Sequence, residues 1–204
     1  WAPEAIYDDT TGDYVVYWSA RDYSKNGTSE NALRVYVCRT RDFNTFSEPK
    51  VWLSEDTSEQ TEEGKEIETN IIDTTIVKDN GKFYRFSTSD WNTVIDVSAT
   101  LDTEDVLDVR NGEAASTPSG SWKRLVKRSG SKAAGFPDNG IEGLTVYQLP
   151  DGKWCAMGDH DVIRHLSQMI FPPANLQKQR QTLWMANSAM VRLYVFQRQK
   201  KQGF

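Results

Sequence analysis

The chain has 204 residues, a formal net charge of −5 and 38% hydrophobic residues, a composition that fits one large domain or two small ones. The acidic balance argues against a nucleic-acid partner, because contact with a phosphate backbone requires a basic surface. No run of about 18 apolar residues is present, which argues against a membrane-spanning helix.

The first part of the chain contains four segments rich in β-forming residues. They are 5–7, 13–18, 33–40 and 50–53, and they are separated by stretches of Asp, Gly, Asn and Pro that favour turns. Four short strands within about 70 residues are what one blade of a β-propeller needs. We therefore interpret this segment as one blade.

The same order of segments returns twice along the chain. A second unit has predicted strands at 71–77, 82–87, 94–100 and 122–126, an Asn80-Gly81 hairpin turn and one predicted helical turn at 103–107. A third unit begins at Ile141, passes through an Asp151-Gly152 turn and ends near residue 157. The predicted fold class is all-β, with repeat units at 1–72, 73–141 and 142–161.

An acidic residue stands at the start of each unit. Glu4, Asp73 and Glu142 are separated by two equal intervals of 69 residues. The starts of the innermost strands of a propeller face a common axis, so we expect these carboxylates to converge and to raise the pKa of at least one of them. Such a group suits general acid and base catalysis of glycoside hydrolysis. The alternative is that the three acids cap turns or hydrogen-bond strand ends.

After residue 161 the pattern changes in composition and in charge. Residues 162–204 contain no Asp or Glu, seven Lys or Arg and seven Gln. We therefore predict a divergent basic, Gln-rich tail that is not homologous to the propeller. A shifted reading frame or a retained intron would produce such a segment.

Three motifs in this order resemble the sequence marks of glycoside hydrolase family 43. They are Trp1-Ala2-Pro3-Glu4, Ile72-Asp73-Thr74-Thr75 and Ile141-Glu142-Gly143-Leu144-Thr145-Val146, and the resemblance covers residues 1 to about 160. It implies a five-bladed β-propeller, of which about two to three blades are present. It also implies an α-L-arabinofuranosidase or β-xylosidase that acts on plant polysaccharides and inverts the anomeric carbon with three carboxylates.

The resemblance assigns roles to individual residues. Asp73 matches the Asp that tunes the pKa of the acid and orients the sugar, and Glu142 matches the general acid. The matching general base would lie before Trp1. We therefore expect the chain by itself to be marginally stable and inactive, because an open arc of blades leaves strand edges unpaired.

Four further residues are candidates for substrate binding. Trp1 and Trp91 stand at strand ends, where indole rings can stack on sugar rings, although packing between blades is the alternative for both. Glu4 is expected near the pocket rim without a catalytic role. Arg85 lies in mid-strand, where it can pair with an axial acid or point outward into solvent.

The expected partner is an arabinose- or xylose-containing oligosaccharide or polysaccharide, with no nucleic acid and no membrane. We expect a monomer when the propeller is complete, secretion to the cell exterior, and no cofactor or metal, because no metal-ligand spacing is present. Cys38 and Cys155 lie in apolar runs and are expected to be buried free thiols. A rival reading is a non-catalytic carbohydrate-binding propeller, and another is a protein-interaction propeller, although the Gly-His and Trp-Asp marks of the latter are missing.

Overall fold

The computed structural model contains strands and a single 3-10 helix, Arg128–Gly130, in the residues that it describes. Those residues are 1–21, 33–60, 66–68, 70–104, 107–110, 113–115, 121–136, 141–150, 154–160, 165–171 and 184–186. Within them, no helix is long and apolar enough to cross a membrane.

The first sheet is a meander of four antiparallel strands with additions at its outer edge. The meander consists of β1 (Glu4–Asp8), β2 (Asp13–Arg21), β3 (Leu33–Thr40) and β4 (Lys50–Gln60). At the outer edge, β5 (Glu66–Glu68) pairs with β4 in antiparallel fashion. The first unit therefore forms a four-stranded blade, as the turn residues between its segments predict.

The second sheet has the same arrangement. Its strands are β6 (Ile71–Asp79), β7 (Lys82–Ser89), β8 (Asn92–Ser98) and β11 (Lys123–Val126), and neighbours along the chain pair in antiparallel fashion. The predicted Asn80-Gly81 turn joins β6 to β7, and both of its residues have positive φ angles, which is what a tight two-residue hairpin requires.

The loop between β8 and β11 contributes to the first sheet. Two residues of the predicted helical turn at 103–107, 105 and 106, lie outside the described residues. Leu107 begins β9 (Leu107–Arg110), which pairs in parallel with β4, and β10 (Glu113–Ala115) pairs with β9. The outer edge of β4 offers unpaired backbone groups, and β9 satisfies them from Leu107 to Arg110.

The third sheet extends beyond the predicted boundary at residue 161. It contains β12 (Ile141–Gln148), β13 (Trp154–His160), β14 (His165–Phe171) and β15 (Trp184–Ala186). Seven consecutive residues of β13 pair with β14 without interruption. Residues 165–171 thus continue the third blade, because backbone pairing depends on an available strand edge and not on charge or Gln content.

Two hydrophobic clusters join the three sheets face to face. One lies between the first and second sheets and includes Val15, Tyr17, Trp52 and Phe83. The other lies between the second and third sheets and includes Phe86, Leu144, Val146 and Trp154. Cys38 and Cys155 are buried free thiols, in agreement with the sequence.

Arg85 is part of the first of these interfaces. Its guanidinium lies 4.6 Å from the ring centre of Trp52 and 4.3 Å from that of Trp122, and it forms an ion pair with Asp96 at 3.1 Å. The side chain is 0% exposed. This position does not fit the expected contact with a sugar or the alternative of an outward, solvated side chain, and we assign Arg85 to the core between the sheets.

Candidate active site

The starts of β6 and β12 and the end of β2 meet at one end of the blades, which we call the strand-entry end. The backbone N–H of Asp73 donates a hydrogen bond to Ser19 Oγ at 3.1 Å, joining the second sheet to the first. The backbone N–H of Gly143 donates to Asp73 Oδ2 at 3.0 Å, joining the third sheet to the second. Asp73 therefore links all three blades at this end.

A bulge interrupts the first strand of the second and third blades at equivalent points. The pairing register shifts between Ile72 and Thr75 in β6 and between Glu142 and Thr145 in β12. Within the bulges, Asp73 has a φ angle of 51° and Gly143 has one of 62°. A bulge adds one residue to a strand and redirects the side chains next to it. Bulges are common beside active sites for this reason.

The sequence spacing predicts that Glu4, Asp73 and Glu142 lie at equivalent positions of the three blades. The bulges show that they do not. Asp73 and Gly143 are the equivalent positions, and Ala2, with a φ angle of 48°, precedes the pairs of β1 in the same way. Glu4 lies two residues beyond Ala2 and pairs with Tyr17. The equal spacing of 69 residues therefore does not mark one structural position.

Glu4 occupies a place between the first and second blades. Tyr17 donates its hydroxyl hydrogen bond to Glu4 Oε2 at 3.0 Å, and Thr75 on β6 also hydrogen-bonds the carboxyl group. Burial raises the pKa of Glu4, although these two hydrogen bonds act in the opposite direction. The placement fits an inter-blade contact, and a sugar contact by Glu4 stays a prediction.

The third carboxyl group at the strand-entry end is Asp159, which sequence reasoning missed. It lies on β13 directly opposite Glu142, and its Oδ2 atom is 3.9 Å from the point where a Cβ atom at Gly143 would lie. The charges of Asp73, Glu142 and Asp159 act on one another. The only signal in the sequence was the hairpin between β12 and β13, whose register had to be known before the two acids could be placed side by side.

The surroundings favour the protonated form of two of these acids. Burial raises the pKa of Glu142 above its usual range, and the negative charges of Asp73 and Asp159 add to this effect. Burial also raises the pKa of Asp73. The hydrogen bond from Gly143 and the positive N-terminus partly offset this rise, and the charge of Asp159 adds to it. The site therefore holds protons more tightly than separate carboxyl groups in water would.

The two candidate stacking rings are exposed near the same end. Trp1 is 57% exposed, and its backbone carbonyl accepts a hydrogen bond from Ser19 N–H. Trp91 is 53% exposed and lies in the turn between β7 and β8, where Asp90 N–H donates to Asn70 O beside the start of β6. Both residues are exposed, and their contact with sugar stays a prediction.

In the part of the chain that the structure describes, no three His, Cys, Asp or Glu side chains are arranged to hold a metal ion. Carboxyl groups placed this close together can take part in proton transfer. A carboxyl group whose pKa is raised by burial and by neighbouring carboxylates is suited to donate its proton to a leaving group.

Comparisons with known proteins point to the same class of chemistry. A sequence model of a family related to glycoside hydrolase family 43, described as "Probable glycosyl hydrolase domain", matches residues 1–203. A protein of Bifidobacterium longum subsp. longum named alpha-L-arabinofuranosidase is 36% identical over 98 residues. That alignment covers 43% of this chain and 8% of the relative.

Solved structures with similar folds are also glycoside hydrolases. Zg3597, a family 117 enzyme of Zobellia galactanivorans, has a TM-score of 0.55 and 14% identity, over 86% of this chain and 55% of that one. The exo-beta-1,3-galactanase 1,3Gal43A of Clostridium thermocellum has a TM-score of 0.51 and 12% identity, over 91% of this chain and 36% of that one. The chain thus spans about half or less of the length of these proteins.

At such low identity these likenesses show the fold, and the predicted class of an all-β, partial β-propeller is confirmed. The family match extends through residues 162–203, where the sequence predicts a divergent tail that is not homologous to the propeller. From its match over nearly the whole length, the chain belongs to the glycosyl hydrolase family related to family 43.

Proposed function

We propose that the protein is a glycosidase that hydrolyses arabinofuranosyl or xylosyl linkages in plant polysaccharides with inversion of the anomeric carbon. Glu142 is the general acid in this proposal, and Asp73 tunes its proton affinity and orients the sugar. The family supports the reaction class. The partial match to a protein named alpha-L-arabinofuranosidase supports a pentose substrate.

The observation that carries the proposal is the environment of Glu142. A general acid must begin the reaction with its proton in place, and burial together with two neighbouring carboxylates raises the pKa of Glu142. Asp73 is suited to position this residue, because its carboxylate accepts the N–H of Gly143, the next residue in the chain. The general base that the resemblance implies would lie before Trp1, and Asp73, Glu142 and Asp159 are not assigned that role.

Glu142→Gln in the natural full-length protein tests the role of the acid. We expect a loss of about 10²–10⁴-fold in kcat on nitrophenyl α-L-arabinofuranoside or β-D-xyloside, since the amide cannot donate the proton. The loss should shrink on the dinitrophenyl glycosides, whose leaving groups depart without protonation. Glu48→Gln, in the exposed turn between β3 and β4, is the matched control and should keep full activity.

The stereochemistry of the product provides a separate check. Proton NMR at early times should show the inverted anomer first. Equal loss of activity on both kinds of leaving group would contradict general-acid catalysis by Glu142. Oligosaccharide binding by the wild-type protein without hydrolysis of any glycoside would favour the non-catalytic carbohydrate-binding alternative.

A further inference from the structure

Asp159 occupies a defined place next to the proposed acid. Glu142 and Asp159 are directly opposite each other in the β12–β13 pair. Side chains at such positions lie on the same face of the sheet, with Cβ atoms about 4.5–5.5 Å apart. The Asp159 carboxylate also lies beside Gly143, whose N–H binds Asp73. Asp159 is therefore adjacent both to the acid and to the contact that positions it.

We propose that Asp159 is a positioning residue whose negative charge, held across the hairpin from Glu142, keeps the proton on Glu142 until a sugar enters the site. The inference rests on the proposed function, because it deepens the role of the same acid. It adds a fourth carboxylate to the three that the family resemblance implies.

The physical basis is repulsion between like charges at short range. Directly opposed like charges on neighbouring strands are unfavourable, so the pair is more stable when one member is protonated. Within the described residues, the charged groups that act on Glu142 are Asp73 from β6 and Asp159 from β13. Glu142 is the more buried of the opposed pair and Asp159 is exposed, so the repulsion is relieved at the lower desolvation cost when Glu142 is the protonated member.

The pKa of Glu142 depends on the charges of two neighbours, Asp73 and Asp159. Asp73 accepts a hydrogen bond from Gly143 N–H, which stabilises its charged form. Asp159 raises the pKa of Asp73 as well as that of Glu142. Removal of the Asp159 charge should therefore release protons from both partners at lower pH.

Asp159→Asn in the natural full-length protein tests the proposal by a direct readout. The pKa of the Glu142 carboxyl is measured by NMR with carbon-13-labelled glutamate, and the resonance is assigned by its absence in Glu142→Gln. We expect the pKa to be lower in Asp159→Asn than in the wild type. Asp159→Glu should restore it, and Asp9→Asn, at an exposed carboxylate near the opposite end of the blade, should leave it unchanged.

Kinetics give the second readout. The alkaline limb of the kcat/KM profile should move to lower pH in Asp159→Asn, with the acidic plateau and KM nearly kept. An unchanged pKa of Glu142 would overturn the proposal, and so would an equal loss at every pH with a raised KM, which indicates a sugar contact. A lowered pKa of Glu142 in a protein that hydrolyses no glycoside supports the charge coupling and removes only the proposed function.

Discussion

Carboxylates at the two ends of the blades have opposite environments. At the hairpin end, where β1 turns into β2, Arg39 Nη1 lies 3.1 Å from Asp8 Oδ2 and 2.6 Å from Asp13 Oδ1. At the strand-entry end, no Lys or Arg side chain among the described residues forms an ion pair with Asp73, Glu142 or Asp159. Acids at the hairpin end have the Arg39 side chain as partner. At the strand-entry end, the charges that act on Glu142 are those of Asp73 and Asp159, and Asp73 is also acted on by the positive N-terminus.

The comparison shows that burial alone does not decide the protonation of these groups. Burial is the largest single influence on Asp8, Asp73 and Glu142, and it acts to raise the pKa of all three. At Asp8 the hydrogen bonds from Thr10 N–H and Arg39 outweigh it, so the pKa of Asp8 is lowered. Hydrogen bonds and an ion pair therefore stabilise the charged carboxylate at the hairpin end. The acids at the strand-entry end have raised pKa values, which suit them to proton transfer.

Loss of the cation at the hairpin end should have the largest effect on stability. Arg39→Met leaves Asp8, whose side chain is 4% exposed, without its ion pair, and removes the hydrogen bond from Arg39 to Thr103 that ties the first blade to the second. We expect the free energy of unfolding to fall by about 2–3 kcal/mol. Denaturant unfolding of the natural full-length protein measures this loss.

Lys78→Met is the matched control for that change. Lys78 pairs with Asp9 at 2.8 Å, but both side chains are exposed, so the loss should be about 0–1 kcal/mol. Equal losses in the two variants would show that Asp8 gains nothing from its buried partner. The activity of the folded protein should be unchanged in both, because neither residue reaches the strand-entry end.

Gly143→Ala should have a smaller effect on stability but a specific effect on activity. At a φ angle of +62° an alanine costs about 1–2 kcal/mol, whereas its Cβ would meet Asp159 at an ordinary 3.9 Å. Relief of this backbone strain moves the N–H that binds Asp73 and displaces Glu142. We therefore expect kcat to fall at least about tenfold, since small misplacements of catalytic groups are costly.

Gly81→Ala separates the backbone cost from the effect on the site. Gly81 has a φ angle of +73° and open space around its Cβ position, in the hairpin turn at the far end of the second blade. Its loss of stability should match that of Gly143→Ala, with kcat unchanged. A similar fall of kcat in both variants would mean that activity follows overall stability and not the geometry at Gly143.

Local sequence signals predicted most of the strands and two of the three acids. The Asn80-Gly81 dipeptide and the β-forming residues around it are sufficient to predict the hairpin of β6 and β7. Asp73 and Glu142 were found because each stands at the start of such a strand. These features depend on residues that are close in sequence.

The errors concern features that depend on pairing between distant residues. A bulge changes the register without changing the sequence spacing, so the regular interval misplaced Glu4. The environment of Arg85 is formed by Trp52 and Trp122, which lie far from it in the sequence. Asp159 reaches Glu142 only through the pairing of β12 with β13. No local pattern contains this information.

The smallest expected effects concern the pH dependence of stability, and they have opposite signs at the two ends of the blades. The raised pKa of Asp73 means that the folded protein binds its proton more tightly than the unfolded chain does. Its contribution to stability is therefore fully present below the unfolded pKa and is lost as pH rises through the folded pKa. Asp73→Asn keeps an oxygen for Gly143 N–H but cannot ionise, so stability at neutral pH should be maintained or slightly raised, and its decline with pH should flatten.

Asp8→Asn should behave in the opposite way. The lowered pKa of Asp8 contributes stability above the unfolded pKa, and this stability is lost as pH falls through the folded pKa. The variant should be less stable than the wild type at neutral pH and should lose less on acidification. Thermal unfolding of both variants from pH 3 to pH 8 measures the two slopes. If both variants destabilise the protein equally at neutral pH, the carboxylates at the two ends do not differ as their partners indicate, because removing charge from an unpaired acid cannot cost as much as removing it from an ion pair.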